Sequence, residues 1–133
     1  MDNFKKEEIY RKKSLKRFIK SFGYAFQGIR YAFYHEQNII VMGIIGALAL
    51  LLGIILKISY IERITIILLI TIILPLELVN TAIEAVVNMH DGEKKSKYGK
   101  IAKDCASGAL AIASIFASVI GLMIFIPYII DLF

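Results

Sequence analysis

The sequence predicts an all-α integral membrane protein, an N-terminal amphipathic surface helix followed by three transmembrane helices. Three observations predict it. The chain is 58% hydrophobic with a mean hydropathy of +0.68, too apolar for an ordinary soluble domain. Residues 38–56 and 105–130 hold no charged side chain at all. The Lys and Arg residues collect between the apolar stretches, as they do in proteins that cross a bilayer. No linker or internal repeat interrupts the 133 residues, so the whole of 1–133 reads as one domain.

Residues 1–37 carry Lys5, Lys6, Arg11, Lys12, Lys13, Lys16, Arg17, Lys20 and Arg30. The apolar positions Leu15, Phe18, Ile19, Phe22, Phe26, Ile29 and Phe33 follow the rhythm of one helix face. A basic face opposite an aromatic face suits a helix lying in the membrane interface. The same pattern also fits a helix packed on other helices. No nucleic-acid motif accompanies the charge, so no nucleic-acid partner is expected. The basic region runs too long before the first apolar stretch for a cleavable signal peptide. The one cysteine, Cys105, excludes an internal disulfide framework.

The spans are predicted at 38–56, 64–89 and 105–130, each long enough to cross roughly 30 Å of hydrocarbon. In the first, Gly43, Gly46 and Ala47 offer close approach to a neighbouring helix. In the second, Pro75 removes one helix hydrogen bond just ahead of Glu77. In the third, Ala102, Ala106, Ala109, Ala113, Ala117 and Gly121 form a stripe of small side chains suited to helix packing. Residues 57–63 and 90–104 read as polar connections, with Gly92 as a helix stop. Lys and Arg favour the cytoplasmic side, and they crowd into 1–37 and 90–104. The expected topology therefore has a cytoplasmic N-terminus and an external C-terminus.

The stretch 77–88, ELVNTAIEAVVN, puts carboxylates and amides inside the second span. At about 100° per residue, Glu77, Asn80, Glu84 and Asn88 share an arc of roughly 80°, with Thr81 beside it and Asp91 on it. Ionisable groups at membrane depth are costly, of order 2.5–3.5 kcal/mol each on insertion scales, and suggest function. Three chemistries fit. One is a phosphotransferase acting on a lipid, with carboxylates for Mg²⁺, a deeper base for a lipid hydroxyl and Lys103 for phosphate. Another is a cation or proton pathway through Glu77 and Glu84. The third is structural, with interhelical hydrogen bonds that only fix assembly. No G-x-x-x-x-G-K-[ST] run is present, so a nucleotide site here is not a P-loop.

Three blocks resemble the prokaryotic diacylglycerol kinase family, small trimeric membrane enzymes that include the undecaprenol kinases. Residues 77–87 are similar to the family signature E-x-x-N-[ST]-A-[IV]-E. Residues 102–109, AKDCASGA, resemble its A-K-D-x-x-S/A-x-A segment, Ser107 included. Residues 23–29, GYAFQGI, followed by Glu36, are similar to its surface-helix stretch. The resemblance covers nearly the whole chain.

It implies ATP-dependent phosphorylation of a lipid alcohol by a homotrimer with shared active sites in the bacterial cytoplasmic membrane. Glu77 would be the general base, and Glu36 and Glu84 would hold Mg²⁺. Lys103, Asp104, Arg17, Tyr24, Glu93 and Lys94 would line the nucleotide site. Asn80, Asn88 and Ser107 would support the cluster. Arg17 and Tyr24 also read as headgroup anchors, and Asp104 as a cap of the third span. The family normally has Asp where this chain has Asn88, which loses a negative charge there. The resemblance to the undecaprenol kinase branch, through Thr81, the basic N-terminus and the aromatic surface helix, implies the primary hydroxyl of undecaprenol as acceptor. Diacylglycerol is the alternative within the family, and a non-enzymatic cation-coupled membrane protein the alternative outside it.

Overall fold

The computed structural model describes residues 14–133. Lys5, Lys6, Arg11, Lys12 and Lys13 of the basic segment lie outside the described residues. The described residues form helices α1 (Leu15–His35), α2 (Gln37–Ile55), α3 (Tyr60–Asp91) and α4 (Lys97–Ile130), and no strand. Two compact units divide between Tyr31 and Ala32.

The first unit holds most of α1. Ser14 opens the helix, its hydroxyl accepting the Arg17 N–H at 3.3 Å. Phe18, Phe22 and Phe26 recur every fourth residue and are all exposed, and the Phe18 and Phe22 rings meet edge to face with centroids 5.2 Å apart. An exposed aromatic stripe on a helix that also carries Lys16, Arg17 and Lys20 suits the boundary between headgroups and hydrocarbon.

In the second unit α2, α3 and α4 pack as consecutive antiparallel neighbours. Each is long and apolar enough to cross a membrane. Gly46 of α2 is buried against Ile70 of α3, where even a methyl group would come within 3.1 Å of Ile70. Gly43 by contrast faces open space, so of these two glycines Gly46 is the one that serves close packing within the chain. Ile58, Ile66, Ile124 and Phe125 form the core at the α2–α3 turn. There Ser59 and Glu62 make a reciprocal capping box, and the Tyr128 hydroxyl donates to Glu62 Oε2 at 2.6 Å. That bond ties the far end of α4 to the start of α3.

The helices outrun the apolar stretches that predict them. The second helix is Tyr60–Asp91, not 64–89, because the capping box starts it within the polar connection. The third is Lys97–Ile130, not 105–130, because Ser96 caps it and Lys is a good helix former. The cap is therefore Ser96 rather than Asp104, which lies two turns inside the helix. Polarity marks where a helix leaves the hydrocarbon, not where it ends. Gly92 does stop α3, with φ +54 and ψ −126, a conformation open essentially to glycine.

At 32 and 34 residues, α3 and α4 are roughly 50 Å long. Gly46 opposite Ile70 sets a register that brings Glu36 level with Asn80. Beyond that level the α3–α4 hairpin continues for roughly 16 Å. Its turn is locked by polar bonds. Asp91 accepts the Ser96 N–H at 3.0 Å and the Ser96 hydroxyl at 2.7 Å, while Ser96 Oγ accepts the Gly99 N–H at 2.9 Å. A Cβ on Gly99 would lie 2.8 Å from Ser96 Oγ and 2.9 Å from Val87 Cγ1, and closer still to Asp91. Gly99→Ala is therefore expected to destabilise the protein by about 1–3 kcal/mol, read as a lower thermal midpoint in detergent.

Candidate active site

The polar stripe of α3 is buried at its inner end and opens toward the hairpin turn. Glu77 is 1% exposed, Asn80 6% and Thr81 7%, while Glu84 is half-buried and Asn88 exposed. Helical spacing alone puts them on one face; tertiary packing buries the first three. Thr81 Oγ1 donates to the Glu77 carbonyl at 3.0 Å, a bond within the helix that leaves the Glu77 carboxylate untouched. Asn80 Nδ2 donates to Glu84 Oε1 at 3.3 Å and so orients that carboxylate.

Glu36 joins this group from outside α3. It sits in extended backbone, φ −113 and ψ 111, at the break between α1 and α2. Its side chain makes no capping hydrogen bond, so the carboxylate is not engaged by its own helix. Glu36 and Glu84 both lie near enough to Glu77 to repel its charge. Three carboxylates from two segments thus bracket the level of Asn80, with Glu77 and Glu84 roughly 10 Å apart along the α3 axis. Glu77 Oε1 and Asn80 Oδ1 are buried and find no hydrogen-bond donor among the described residues. Oxygens of this kind fit either a hard cation or an incoming hydroxyl. Among the described residues no three His, Cys, Asp or Glu side chains form a metal-holding group by themselves. Glu36 and Glu84 suit a Mg²⁺ ion that takes its remaining ligands from phosphate and water.

The hairpin carries the cations. Lys103 Nζ donates to Asn88 Oδ1 at 2.6 Å, joining α4 to α3. Lys100 pairs with Asp104 one turn along α4. Glu93 and Lys94 are exposed in the α3–α4 turn, and Ser107 is exposed one turn past Lys103. Arg17 and Tyr24 lie on α1 in the first compact unit, Arg17 half-buried and Tyr24 67% exposed. Asp91 lies on the stripe as predicted, and its carboxylate closes the turn with Ser96. Sequence reasoning missed Ser96 and the Glu62–Tyr128 bond. The first had a signal, a Ser preceding a helix; the second joins residues 66 apart and had none.

Fold and site together define a small helical membrane protein with a buried acidic centre at one end of its spans. The family described as prokaryotic diacylglycerol kinase matches residues 23–125. The undecaprenol kinase of Bacillus subtilis is 37% identical over 113 residues, 85% of this chain and 91% of that protein. The diacylglycerol kinase of Synechocystis sp. is 34% identical over 112 residues, 84% of this chain and 64% of that protein, just under two thirds of its length. The diacylglycerol kinase of Escherichia coli is 34% identical over 101 residues, 76% of this chain and 82% of that protein. The chain belongs to the prokaryotic diacylglycerol kinase family, a family of lipid kinases.

Proposed function

We propose that the chain is a lipid kinase of the bacterial cytoplasmic membrane that transfers the γ-phosphoryl group of ATP to the primary hydroxyl of undecaprenol. All of 1–133 serves one kinase domain, with the N-terminus cytoplasmic and the C-terminus external. The observation that carries the reading is the buried Glu77 Oε1, which finds no donor among the described residues and feels the charge of Glu36 and Glu84. A lipid hydroxyl would be its donor. Glu77 takes that proton, the lipid oxygen attacks the γ-phosphorus, and the bond to the bridging oxygen of ADP breaks. Bound Mg²⁺, held by Glu36 and Glu84, would neutralise charge on the phosphates.

Asn80 keeps Glu84 in place, and Lys103 binds the phosphate charge of incoming ATP. Asp104, Glu93 and Lys94 complete the nucleotide site, with Asn88 and Ser107 beside it; Arg17 and Tyr24 are assigned to it by the family resemblance alone. The hairpin's reach past Glu36 supports this division, since a lipid hydroxyl arrives from the bilayer and ATP from water.

Assembly as a homotrimer with shared sites completes the proposal. A largely apolar groove of about 590 Å³ runs between α2, α3 and α4, lined by Gly46, Ala49, Ala117 and Gly121. Ser114 Oγ, with its residue also in the lining, is buried and finds no hydrogen-bond partner among the described residues. Small residues and an unpaired hydroxyl suit a helix of a second copy better than a lipid chain.

The diacylglycerol kinases among the relatives favour diacylglycerol as the second reading. Both lipids offer a primary alcohol, so the catalytic groups serve either. The deciding experiment measures Mg²⁺- and ATP-dependent transfer to undecaprenol and to diacylglycerol in mixed micelles. Preference for undecaprenol is expected. Preference for diacylglycerol would keep the mechanism and overturn the acceptor; transfer to neither would overturn both.

A further inference from the structure

We propose that Asn88 is the positioning residue for Lys103: its side-chain carbonyl holds the ammonium on the Glu84 side of the hairpin without neutralising it. This rests on the reading of Lys103 as a phosphate-binding group.

The bond is long-range. Lys103 Nζ reaches from α4 to Asn88 Oδ1 on α3 at 2.6 Å, fifteen residues away in sequence. Lysine carries four rotatable bonds, and an unanchored one samples many positions before it meets a ligand. Asn88 removes that freedom in advance, and it stands one helical turn from Glu84 on the polar stripe.

The chemistry of the anchor matters as much as its place. The acids nearby are engaged elsewhere. Asp104 pairs with Lys100, and Asp91 accepts both the N–H and the hydroxyl of Ser96. Asp91 still lies within electrostatic reach of Lys103. The direct partner, however, is a neutral amide oxygen. A carboxylate at that position would make an ion pair that phosphate must break. An amide oxygen fixes the geometry and leaves the positive charge for the incoming anion. Lys100, by contrast, sits opposite a full negative charge.

The test is a double-mutant cycle on Asn88→Ala and Lys103→Ala, read as the KM for ATP and, in parallel, as equilibrium binding of Mg·ATP to the micellar protein. Asn88→Ala should raise the KM for ATP about tenfold and move kcat by no more than about twofold. In a Lys103→Ala background it should add nothing, because the group it positions is gone. Effects that multiply independently would overturn the proposal. So would an unchanged KM, or a loss confined to kcat.

A purely structural staple would lower the thermal midpoint without the KM-specific signature. Should Asn88→Ala fail to assemble, Asn88→Ser takes its place, since its oxygen falls short of Lys103. A parent protein that binds Mg·ATP yet phosphorylates neither lipid would refute the lipid reading while the cycle remained readable by binding. A parent that binds no nucleotide would overturn both.

Discussion

Glu77→Gln is expected to lower kcat by roughly 10²–10⁴-fold, the span over which a positioned general base acts. Gln has nearly the size of Glu, so a side chain 1% exposed can be exchanged without opening a cavity. The hydrogen bond that Thr81 makes is to the Glu77 backbone carbonyl and survives the change. What disappears is the lone carboxylate oxygen that finds no donor among the described residues. Removing it should leave the thermal midpoint unchanged or raised, because a buried charge among like charges is lost. The check is the initial rate of phosphate transfer beside a melting curve of the same preparation. A variant within tenfold of the parent rate would remove Glu77 from the proton-transfer role.

Glu84→Gln should act through the metal instead. Activity at low Mg²⁺ is expected to fall on the order of 10²-fold, the scale seen when one electrostatic partner of a transition state is removed. Raising Mg²⁺ should recover part of it, which no general-base defect would do. The substitution also replaces the acceptor for Asn80 Nδ2 by another carbonyl oxygen, so the local hydrogen bond can be kept. Titrating activity against Mg²⁺ for parent, Glu84→Gln and Glu36→Gln tests the assignment of both residues. A flat Mg²⁺ response in both variants, at the parent rate, would move the metal elsewhere. Together with Glu77→Gln, this separates a proton-transfer defect, insensitive to Mg²⁺, from a metal-binding defect that Mg²⁺ relieves.

Much of this was legible in the chain because it is carried by local periodicity. Residues 38–56 and 105–130 announce spans by composition, and a 3.6-residue repeat places Glu77, Asn80, Glu84 and Asn88 on one face. The α3 stop at Gly92 was legible for the same reason, since its backbone conformation belongs to a single residue. Helix starts were less legible. Ser59 and Ser96 begin α3 and α4 inside segments whose charge reads as connection, and Lys100, Lys103 and Asp104 are helical despite it.

The sequence by itself determined the membrane class, the spans, the polar stripe and the family resemblance, because each depends on neighbours a few residues apart. Only the tertiary structure decided which stripe residues are buried, that Glu36 stands within electrostatic reach of Glu77, and that Lys103 rests on a neutral amide. It also decided that Asp91 serves the turn and that Tyr128 fastens α4 to α3. These depend on the register between antiparallel helices. That register is set by side-chain shape, as at Gly46 against Ile70, where two helices meet. No periodicity along one helix encodes what another helix brings alongside it.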